Sequence, residues 1–355
     1  MTGMSEKIVV SELIWPVGLE VLKGYGRTVY DPGLSARPEV LAAEIRESCA
    51  LVVRNQTKVG PDLLDSAPQL RVIGRLGAGL ENIDLRAARA RNVQVVYSPA
   101  GNTISVAEMT FAMILALAKK LIPADRGVRG GHWDRSGMSG VELWGKNLGI
   151  LGLGRTGLQV SLRARAFGMK VLAYHPRLAP DHPRVIEAGA ELVDRETLFR
   201  RSDFLSVHLP LTEATQGFAG RAELSLMKPS ACLINTSRGE VVDEAALYDA
   251  LVRGRLAGAA LDVRAAEPPI SAAADRCAKG GSSEGGQDGG GGAMDESAMG
   301  EGAEGGLPPL ERLDNVISTP HVAGLTLEAQ ARVSESVALD VVRALRGEAP
   351  EFPAY

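Results

Sequence analysis

Three short segments in the last third of the chain carry side chains that together can bind a carboxylate and move a proton. Arg238 lies in the segment NTSRG, Asp262 and Glu267 lie in LDVRAAEP, and His321 lies in TPHVAG. Arginine can form two parallel hydrogen bonds to a carboxylate, and histidine exchanges a proton near neutral pH. A carboxylate bonded to the second ring nitrogen of a histidine orients the ring and favours its protonated form. These residue types predict acid–base chemistry on a substrate that carries a carboxylate.

A glycine-rich turn, GLGRTG, follows an apolar stretch that begins at Asn147. In dinucleotide-binding folds the first glycine of GxGxxG permits a tight turn, the second admits the pyrophosphate, and the third lets helix and strand pack closely. Amide groups at the start of the next helix face the phosphates. Because a strand, a helix and a second strand surround the motif, we predict a dinucleotide site rather than an ordinary glycine-rich turn. Its predicted contacts are Gly152, Gly154, Arg155, Thr156 and Gly157.

The end of the second strand of this unit bears on which dinucleotide is expected. An acidic residue usually stands about 20 positions beyond the first glycine and binds the ribose hydroxyls of NAD. This chain has His175 at that place, followed closely by Arg177. Without a carboxylate the 2′-phosphate of NADP is not repelled, and Arg177 is close enough to attract it. The alternative is that His175 only hydrogen-bonds the ribose and Arg177 points to solvent, which leaves NAD usable. Both interpretations stay open.

Short apolar runs alternate with amphipathic segments, which is typical of βαβ units in a parallel sheet. A first series of strands is predicted at Lys7–Leu13, Ala50–Arg54, Leu70–Leu76 and Val93–Tyr97. A second series is predicted at Asn147–Leu151, Lys170–Tyr174, Phe204–Leu209, Ala231–Asn235, Ala257–Leu261 and Val316–Ser318. Long helices are predicted at Asn102–Lys120, capped by Thr103 or Ser105, and at Leu325–Leu345. We therefore expect an α/β protein with two doubly wound parallel-sheet domains, the first interrupted by the second.

The composition argues against several classes of protein. A chain of 355 residues with 45% hydrophobic content suffices for two domains. The net charge of −4, with both signs interspersed, indicates neither a nucleic-acid partner nor an anionic membrane surface. We recognise no secretory signal and no bilayer-spanning segment. Cys49, Cys232 and Cys277 lack the paired spacing of disulfide frameworks or zinc sites. We expect a cytoplasmic protein with reduced thiols and no bound metal.

Residues 271–306 differ from the rest of the chain. These 36 residues include 12 glycines and seven acidic side chains, and they lack Leu, Ile, Val and aromatic residues. Such a segment cannot bury enough apolar surface to offset the entropy of ordering, so we predict a disordered insertion in a surface loop. A fold tolerates it because the free energy of closing a loop grows only with the logarithm of its length. A docking function for the loop is an open alternative.

Three further motifs accompany these segments: GAGLENID from Gly77, GNTISVAE from Gly101, and ELWGK from Glu142. With them the chain closely resembles the D-isomer-specific 2-hydroxyacid dehydrogenases, which act on D-lactate, D-glycerate or hydroxypyruvate, and D-3-phosphoglycerate. The resemblance runs from Ala50 to about Arg346, except for the glycine-rich segment.

The resemblance implies an architecture. It implies a flavodoxin-like substrate domain built from residues 1–101 and 321–355, and a central Rossmann NAD(P)-binding domain at residues 102–320. It also implies an active site in the cleft between the domains, and usually a homodimer. Because 34 residues follow His321, we expect no C-terminal regulatory domain.

The resemblance also implies roles for individual residues. The expected reaction is hydride transfer between NAD(P)H and C2 of a small 2-keto or 2-hydroxy acid. Arg238 would orient the substrate, Glu267 would pair with the histidine, and His321 would donate or accept the proton. Asp262 would hold the nicotinamide carboxamide. The backbone amides of Leu76 and Gly77 would bind the substrate carboxylate.

Two points stay open at this level. Arg54 and Asn55 end a strand where this family has its substrate cleft, so they are candidates for binding a phosphate, a sulfonate or a second carboxylate on the substrate tail. The alternative is that Arg54 is a structural arginine at a strand end. The same fold and the same three residues also occur in dinucleotide-sensing corepressors of the C-terminal-binding-protein type. Assays with 2-keto acids separate such a binding protein from an enzyme.

Overall fold

The computed structural model describes residues 6–267 and 309–355, and the chain divides into two compact units. The first unit comprises Met1–Val106 and Gly324–Tyr355, and the second comprises Ala107–Ala323. The boundary therefore falls a few residues after each of the predicted positions. The predicted insertion at 271–306 lies outside the described residues.

The first unit contains a five-stranded, fully parallel sheet in the order β2-β1-β3-β4-β5. Its strands are β1 (Lys7–Val10), β2 (Arg27–Tyr30), β3 (Ala50–Val53), β4 (Val72–Arg75) and β5 (Gln94–Tyr97). Its helices are α1 (Pro16–Tyr25), α2 (Pro38–Ile45), α3 (Pro61–Asp65), α4 (Leu85–Ala90) and, at the C-terminal end, α12 (Leu327–Leu345). This strand order is the flavodoxin-type doubly wound arrangement, as predicted.

The second unit contains a seven-stranded parallel sheet in the order β12-β11-β10-β9-β6-β7-β8. Its strands are β6 (Asn147–Leu151), β7 (Lys170–Tyr174), β8 (Ala190–Leu192), β9 (Phe204–Val207), β10 (Cys232–Asn235), β11 (Gly258–Leu261) and β12 (Val316–Ser318). Its helices are α6 (Leu121–Arg129), α7 (Arg155–Ala166), α8 (Pro183–Ala188), α9 (Arg195–Arg201), α10 (Arg221–Leu226) and α11 (Glu244–Val252). Helix α5 (Thr103–Ala118) begins in the first unit and continues into the second. The order is that of a Rossmann sheet with one added strand, and it reverses between β6 and β9.

The sequence missed two strands and misplaced several boundaries. Strands β2 and β8 were not predicted, because each lies at a sheet edge and has no fully buried residue. The predicted strand Lys7–Leu13 ends at Val10, where the chain turns away from the sheet. Helix α5 begins at Thr103, so both predicted cap residues lie inside the helix; Ser105 Oγ instead forms a 2.7 Å hydrogen bond with Thr326 Oγ1.

Each sheet is covered on both faces, and consecutive residues of a strand enter opposite cores. In β3, Ala50 and Val52 pack with the apolar side of α12, whereas Leu51 and Val53 pack on the opposite face. In β10, Leu233 and Ile234 divide in the same way. Strands buried on both faces read as continuous apolar runs, which is why the sequence located the central strands well.

Helices α1 and α12 pack against each other through a small residue. A side chain at Gly18 of α1 would collide with the backbone carbonyl of Ser334 in α12. Ser334 Oγ also accepts a 3.0 Å hydrogen bond from the amide of Trp15, just before α1 begins. The close approach therefore joins the C-terminal helix to the start of the chain.

The described residues bear on two kinds of function, membrane insertion and metal binding. None of the helices within them is long and apolar enough to cross a membrane. Within the same ranges, no group of three or more His, Cys, Asp and Glu side chains is placed to hold a metal ion. Cys49 and Cys232 are buried free thiols.

We predict that Gly18→Ala destabilises the protein by about 1–3 kcal/mol, because the added methyl group has to displace backbone rather than a flexible side chain. Gly24→Ala, on the same helix, is the matched control. A methyl group there meets no atom within 4 Å, so the higher helix propensity of alanine should leave stability unchanged or raise it by up to about 1 kcal/mol. Thermal unfolding of the two variants measures the difference. Equal melting temperatures would contradict the close-packing argument.

Candidate functional site

The loop that carries His321 follows β12 directly and holds the histidine in an unusual backbone conformation. His321 has φ +55°, in the left-handed region that side chains other than glycine rarely adopt. Its amide is placed to donate to the carbonyls of Asp262 (2.8 Å) and Thr319 (3.0 Å). A strained residue persists only where its surroundings over-determine it, and such residues cluster at functional sites.

Asp262, at the end of β11, holds this loop. Its Oδ1 accepts hydrogen bonds from Thr319 Oγ1 (2.6 Å) and the Val322 amide (2.9 Å), and its Oδ2 accepts one from the Ala323 amide (2.8 Å). The residue is 1% exposed. We predicted that Asp262 would hold the nicotinamide carboxamide. In this structure its carboxylate is buried and holds the His321 loop, and a contact with the nicotinamide carboxamide stays a prediction.

Glu267 and His321 form the central pair of the site. Glu267 Oε2 lies 2.8 Å from His321 Nδ1, and both side chains are partly open to solvent (41% and 50% exposed). The hydrogen bond to Glu267 raises the pKa of His321 above its usual value, against the opposing effect of burial. Burial by itself would raise the pKa of Glu267, but the bond to His321 and the amide of Arg264 hold it below its usual value. The pair favours imidazolium beside carboxylate and leaves Nε2 on the far side of the ring.

Arg238 follows β10, and the turn that carries it is closed by Asn235. Asn235 Nδ2 donates to the carbonyl of Arg238 (2.8 Å), and Asn235 Oδ1 accepts from the amide of Ser237 (3.0 Å). The guanidinium is half-buried, and its charge lowers the pKa of both His321 and Glu267, so it is within electrostatic range of the pair.

The sheet brings these residues together. Strands β10, β11 and β12 are neighbours in one parallel sheet, so their carboxyl ends, which lead to Arg238, Glu267 and His321, meet at one edge. All three residues lie in the second unit. The bonds of its loop to Asp262 attach His321 to β11.

The glycine-rich turn between β6 and α7 fits a dinucleotide phosphate. Gly152 has φ +102°, and a side chain there would meet the carbonyl oxygen of His208 at 2.8 Å. A side chain at Gly157 would collide with the carbonyl of Gly152, so only glycine lets helix and strand approach this closely. Gly154, the residue before α7, makes no side-chain cap and has open space beside it. The first amides of α7, including those of Arg155 and Thr156, are therefore available to an anion.

The end of β7 carries several cationic side chains. His175 Nδ1 accepts a 3.2 Å hydrogen bond from the Arg177 amide. Arg184, which we did not predict, reaches back to the glycine-rich turn, where its Nη1 donates to the carbonyl of Leu153 (3.3 Å). Burial, together with Arg177, Arg184 and His182, lowers the pKa of His175. No sequence motif indicated Arg184, because only the fold returns helix α8 to this turn.

The predicted substrate residues lie in the first unit. The buried carboxylate of Glu12 accepts hydrogen bonds from four consecutive amides, those of residues 54–57, and thereby holds the turn that carries Arg54 and Asn55. Arg75 ends the neighbouring strand, paired in register with Val53, so the ends of β3 and β4 place Arg75 beside this turn. Arg75 was not predicted, since an arginine that ends an apolar strand is commonly structural.

The two predicted amide donors are already engaged within the first unit. The Leu76 amide donates to the carbonyl of Val53 (2.8 Å), and the Gly77 amide donates to the carbonyl of Arg75 (2.9 Å). The guanidinium of Arg75 lies directly over Gly77, where a side chain would collide with it. A substrate carboxylate would have to replace these bonds, so the role of Leu76 and Gly77 stays a prediction, with the Arg75 side chain as a neighbouring donor.

Comparison with known proteins identifies the family. The model of the D-isomer specific 2-hydroxyacid dehydrogenase NAD binding domain matches residues 111–323. A D-3-phosphoglycerate dehydrogenase of Archaeoglobus fulgidus is 39% identical over 342 residues, which cover 96% of this chain and 58% of that protein. The corresponding enzyme of Methanocaldococcus jannaschii is 38% identical, over 97% of this chain and 58% of that protein. The chain thus spans little more than half the length of these relatives.

Solved structures share the fold over nearly the whole chain. A D-lactate dehydrogenase from Aquifex aeolicus, solved with NAD and lactic acid, is 31% identical with a TM-score of 0.76, covering 97% of this chain and 96% of that one. The TT0316 protein of Thermus thermophilus is 28% identical with a TM-score of 0.80, covering 98% and 100%.

We predict that Glu267→Gln lowers the pKa of His321, because the bond from Glu267 is the largest influence that raises it. A group whose pKa is higher in the folded than in the unfolded protein stabilises the folded state, and the effect is complete at pH values below its unfolded pKa. The stabilisation is lost as the pH rises through the folded pKa. The variant should therefore lose stability mainly at mildly acidic pH. NMR titration of the His321 ring measures the pKa, and Glu240→Gln, in the turn after Arg238, serves as the control. An unchanged His321 titration in Glu267→Gln would contradict the pairing.

Proposed function

The chain belongs to the D-isomer-specific 2-hydroxyacid dehydrogenase family, and on that premise we propose that it interconverts a 2-keto acid and a D-2-hydroxy acid with a nicotinamide dinucleotide. The observation that carries the proposal is the 2.8 Å contact between His321 Nδ1 and Glu267 Oε2, within electrostatic range of Arg238. This set offers one proton donor, one anion that supports it and one cation for a substrate carboxylate.

The chemistry of these residues accounts for the proton in the proposed reaction. The bound nicotinamide supplies or accepts the hydride at C2 of the substrate. In the direction of reduction, His321 donates its Nε2 proton to the carbonyl oxygen and becomes neutral. Glu267 stays ionised, orients the ring through Nδ1 and stabilises its charged form. In the direction of oxidation the neutral His321 accepts the hydroxyl proton.

Arg238 has two tasks in this proposal. Its planar guanidinium can hold the substrate carboxylate through two parallel hydrogen bonds. The same cation stabilises negative charge that develops on the carbonyl oxygen before the proton arrives. Because Arg238 also lowers the pKa of His321, it opposes Glu267 and keeps the imidazolium acidic enough to give up its proton.

We propose that the substrate carries an anionic tail. Arg54 and Arg75 stand at the carboxyl ends of adjacent strands of the first unit, where doubly wound sheets bind ligands. Two arginines at one such edge suit a phosphate or a second carboxylate. The relatives named D-3-phosphoglycerate dehydrogenase make a phosphate the first tail to test.

For the coenzyme, we propose that the chain accepts NADP as well as NAD. His175 stands where a ribose-binding carboxylate is usual, and burial and nearby cations lower its pKa, so it is neutral near pH 7. Arg177 follows it, and Arg184 is tied to the glycine-rich turn. Two cations without an opposing carboxylate at that position support binding of a 2′-phosphate.

We also propose that the chain forms a homodimer through the surface of α6 and the residues that follow it. No residue of α6 is buried, although the helix carries exposed apolar side chains, among them Leu121 and Val128. Trp133 is 86% exposed and Trp144 is 77% exposed. Large exposed apolar side chains grouped on one element mark interaction surfaces.

We predict that His321→Asn lowers kcat for reduction of 2-keto acids by about 10²–10⁴-fold, the usual loss when a general acid is removed. Glu196→Gln, at an exposed carboxylate of α9 in the same unit, should leave kcat unchanged. The assay uses glyoxylate, pyruvate, hydroxypyruvate and a phosphorylated hydroxypyruvate, and the last should have the highest kcat/KM. Turnover of His321→Asn close to that of the wild type would remove His321 from the mechanism.

We predict that replacing Arg177 and Arg184 together by alanine lowers kcat/KM for NADPH by about 10- to 100-fold, the range for losing one or two hydrogen bonds to a charged group. The kcat/KM for NADH should change less than about threefold, because no phosphate of NADH lies at that position. Arg200→Ala, an exposed arginine on α9, is the control. A strong preference of the wild type for NADH that the double substitution leaves untouched would sink the NADP proposal.

A further inference from the structure

Arg264 is a buried arginine between Asp262 and Glu267 that the proposed reaction does not use. Its side chain is 5% exposed and forks onto Glu244, with Nε 3.0 Å from Oε1 and Nη2 3.0 Å from Oε2. Its remaining terminal nitrogen, Nη1, lies 2.9 Å from Glu311 Oε2. Glu244 is equally buried, at the first turn of α11, whereas Glu311 is 25% exposed.

The same cluster holds the backbone that leads to Glu267. The amide of Arg264 donates to Glu267 Oε1 (3.1 Å), while Glu267 Oε2 faces His321. The amide of Ala265 donates to Glu244 Oε1 (2.8 Å), so Glu244 binds both the side chain of Arg264 and the next peptide. A continuous chain of hydrogen bonds therefore runs from α11 through Arg264 to the ring of His321.

A glycine brings the turn of Arg238 onto this backbone. A side chain at Gly239 would collide with the peptide between Arg264 and Ala265. The residue that follows Arg238 thus packs directly on the peptide that aims Glu267. The cluster links the substrate arginine and the carboxylate through one rigid contact.

Burying the charged pair of Arg264 and Glu244 is by itself a poor way to gain stability. The desolvation of a buried ion pair often offsets its attraction, and apolar residues of similar volume frequently serve as well. What a buried, forked arginine does supply is a fixed geometry, because all of its hydrogen bonds have set directions.

We propose that Arg264 is a positioning residue for the acid–base pair: anchored by Glu244 and Glu311, it fixes the peptide whose amide holds Glu267 against His321. The inference rests on the proposed function for its effect on turnover, but not for its effect on the geometry of the pair. Arg264 does not contact the ring itself and acts through Glu267.

Loss of the support from Arg264 should change the pKa of His321, which several nearby charges influence. Glu267 and Asp262 favour the imidazolium, and Arg238 opposes it. If Glu267 loses its anchor, its bond to the ring weakens while Asp262, held by the His321 loop, stays in place. The imidazolium then loses its proton at a lower pH than in the wild type. Because reduction needs the protonated ring, the decline of activity with rising pH also begins at a lower pH.

The test is the double variant Arg264→Met with Glu244→Gln, which removes the ion pair without leaving Glu244 as an unpaired buried carboxylate. Arg253→Met, at an exposed arginine that directly follows α11 and pairs with Asp249, is the matched control. Two quantities are measured: the pKa of the His321 ring by NMR in the protein without ligand, and the pH profile of kcat/KM for reduction of a 2-keto acid.

We expect the double variant to lower the pKa of His321 and to shift the alkaline limit of kcat/KM to lower pH. The loss at alkaline pH should be about 10- to 100-fold, less than for complete loss of the acid. Arg264→Lys keeps the charge without the fork, so it should lower the pKa of His321 by less than the double variant does. It replaces the double variant in the test if that protein does not fold. A folded variant with an unchanged His321 titration and an unchanged pH profile overturns the proposal. Should the wild type reduce no 2-keto acid, the proposed function fails, and the NMR titration alone still decides the role of Arg264.

Discussion

The buried carboxylate of Asp262 is the constraint on which the site depends. It stands at the end of a fully buried strand and receives three hydrogen bonds from the loop after the neighbouring strand. Those bonds hold His321 in a left-handed backbone conformation that it would not keep in a free chain. The position of the imidazole is therefore determined by a residue that is only 1% exposed. Removing one oxygen acceptor there would leave buried amides without partners. An unpaired buried amide costs more free energy than a hydrogen bond typically contributes to stability.

Two charged networks of different kind meet at this edge of the sheet. One is open to solvent and consists of Glu267 and His321, with Arg238 in electrostatic range; its protonation can change during a reaction. The other is centred on the buried pair of Arg264 and Glu244, which the partly exposed Glu311 joins; its geometry is fixed. Glu267 belongs to both through its two oxygens. This division lets one carboxylate be held firmly and still share a proton-dependent bond with the histidine.

The first unit repeats the same principle with different residues. The buried carboxylate of Glu12 collects four backbone amides and so shapes the turn of Arg54. These bonds hold the pKa of Glu12 below its usual value, against the opposing effect of burial. In both units, then, a buried acid after a parallel strand organises the loop that carries a candidate functional side chain. Parallel sheets favour this arrangement because their strand ends converge where the amides of the loops need acceptors.

The sequence by itself determined the elements that depend on local pattern: the apolar central strands, the GxGxxG turn from Gly152 to Gly157, and the residue types Arg238, Glu267 and His321. It did not reveal the edge strands β2 and β8, which have no fully buried residue and so carry no apolar run. Nor did it reveal the tasks of Asp262, Glu244, Arg264 and Arg184, since a charged residue in a sequence looks the same whether it meets solvent or a buried partner. Only the tertiary structure decided these roles, because hydrogen bonds between residues 20 to 61 positions apart arise from the order of the strands, which no local pattern encodes.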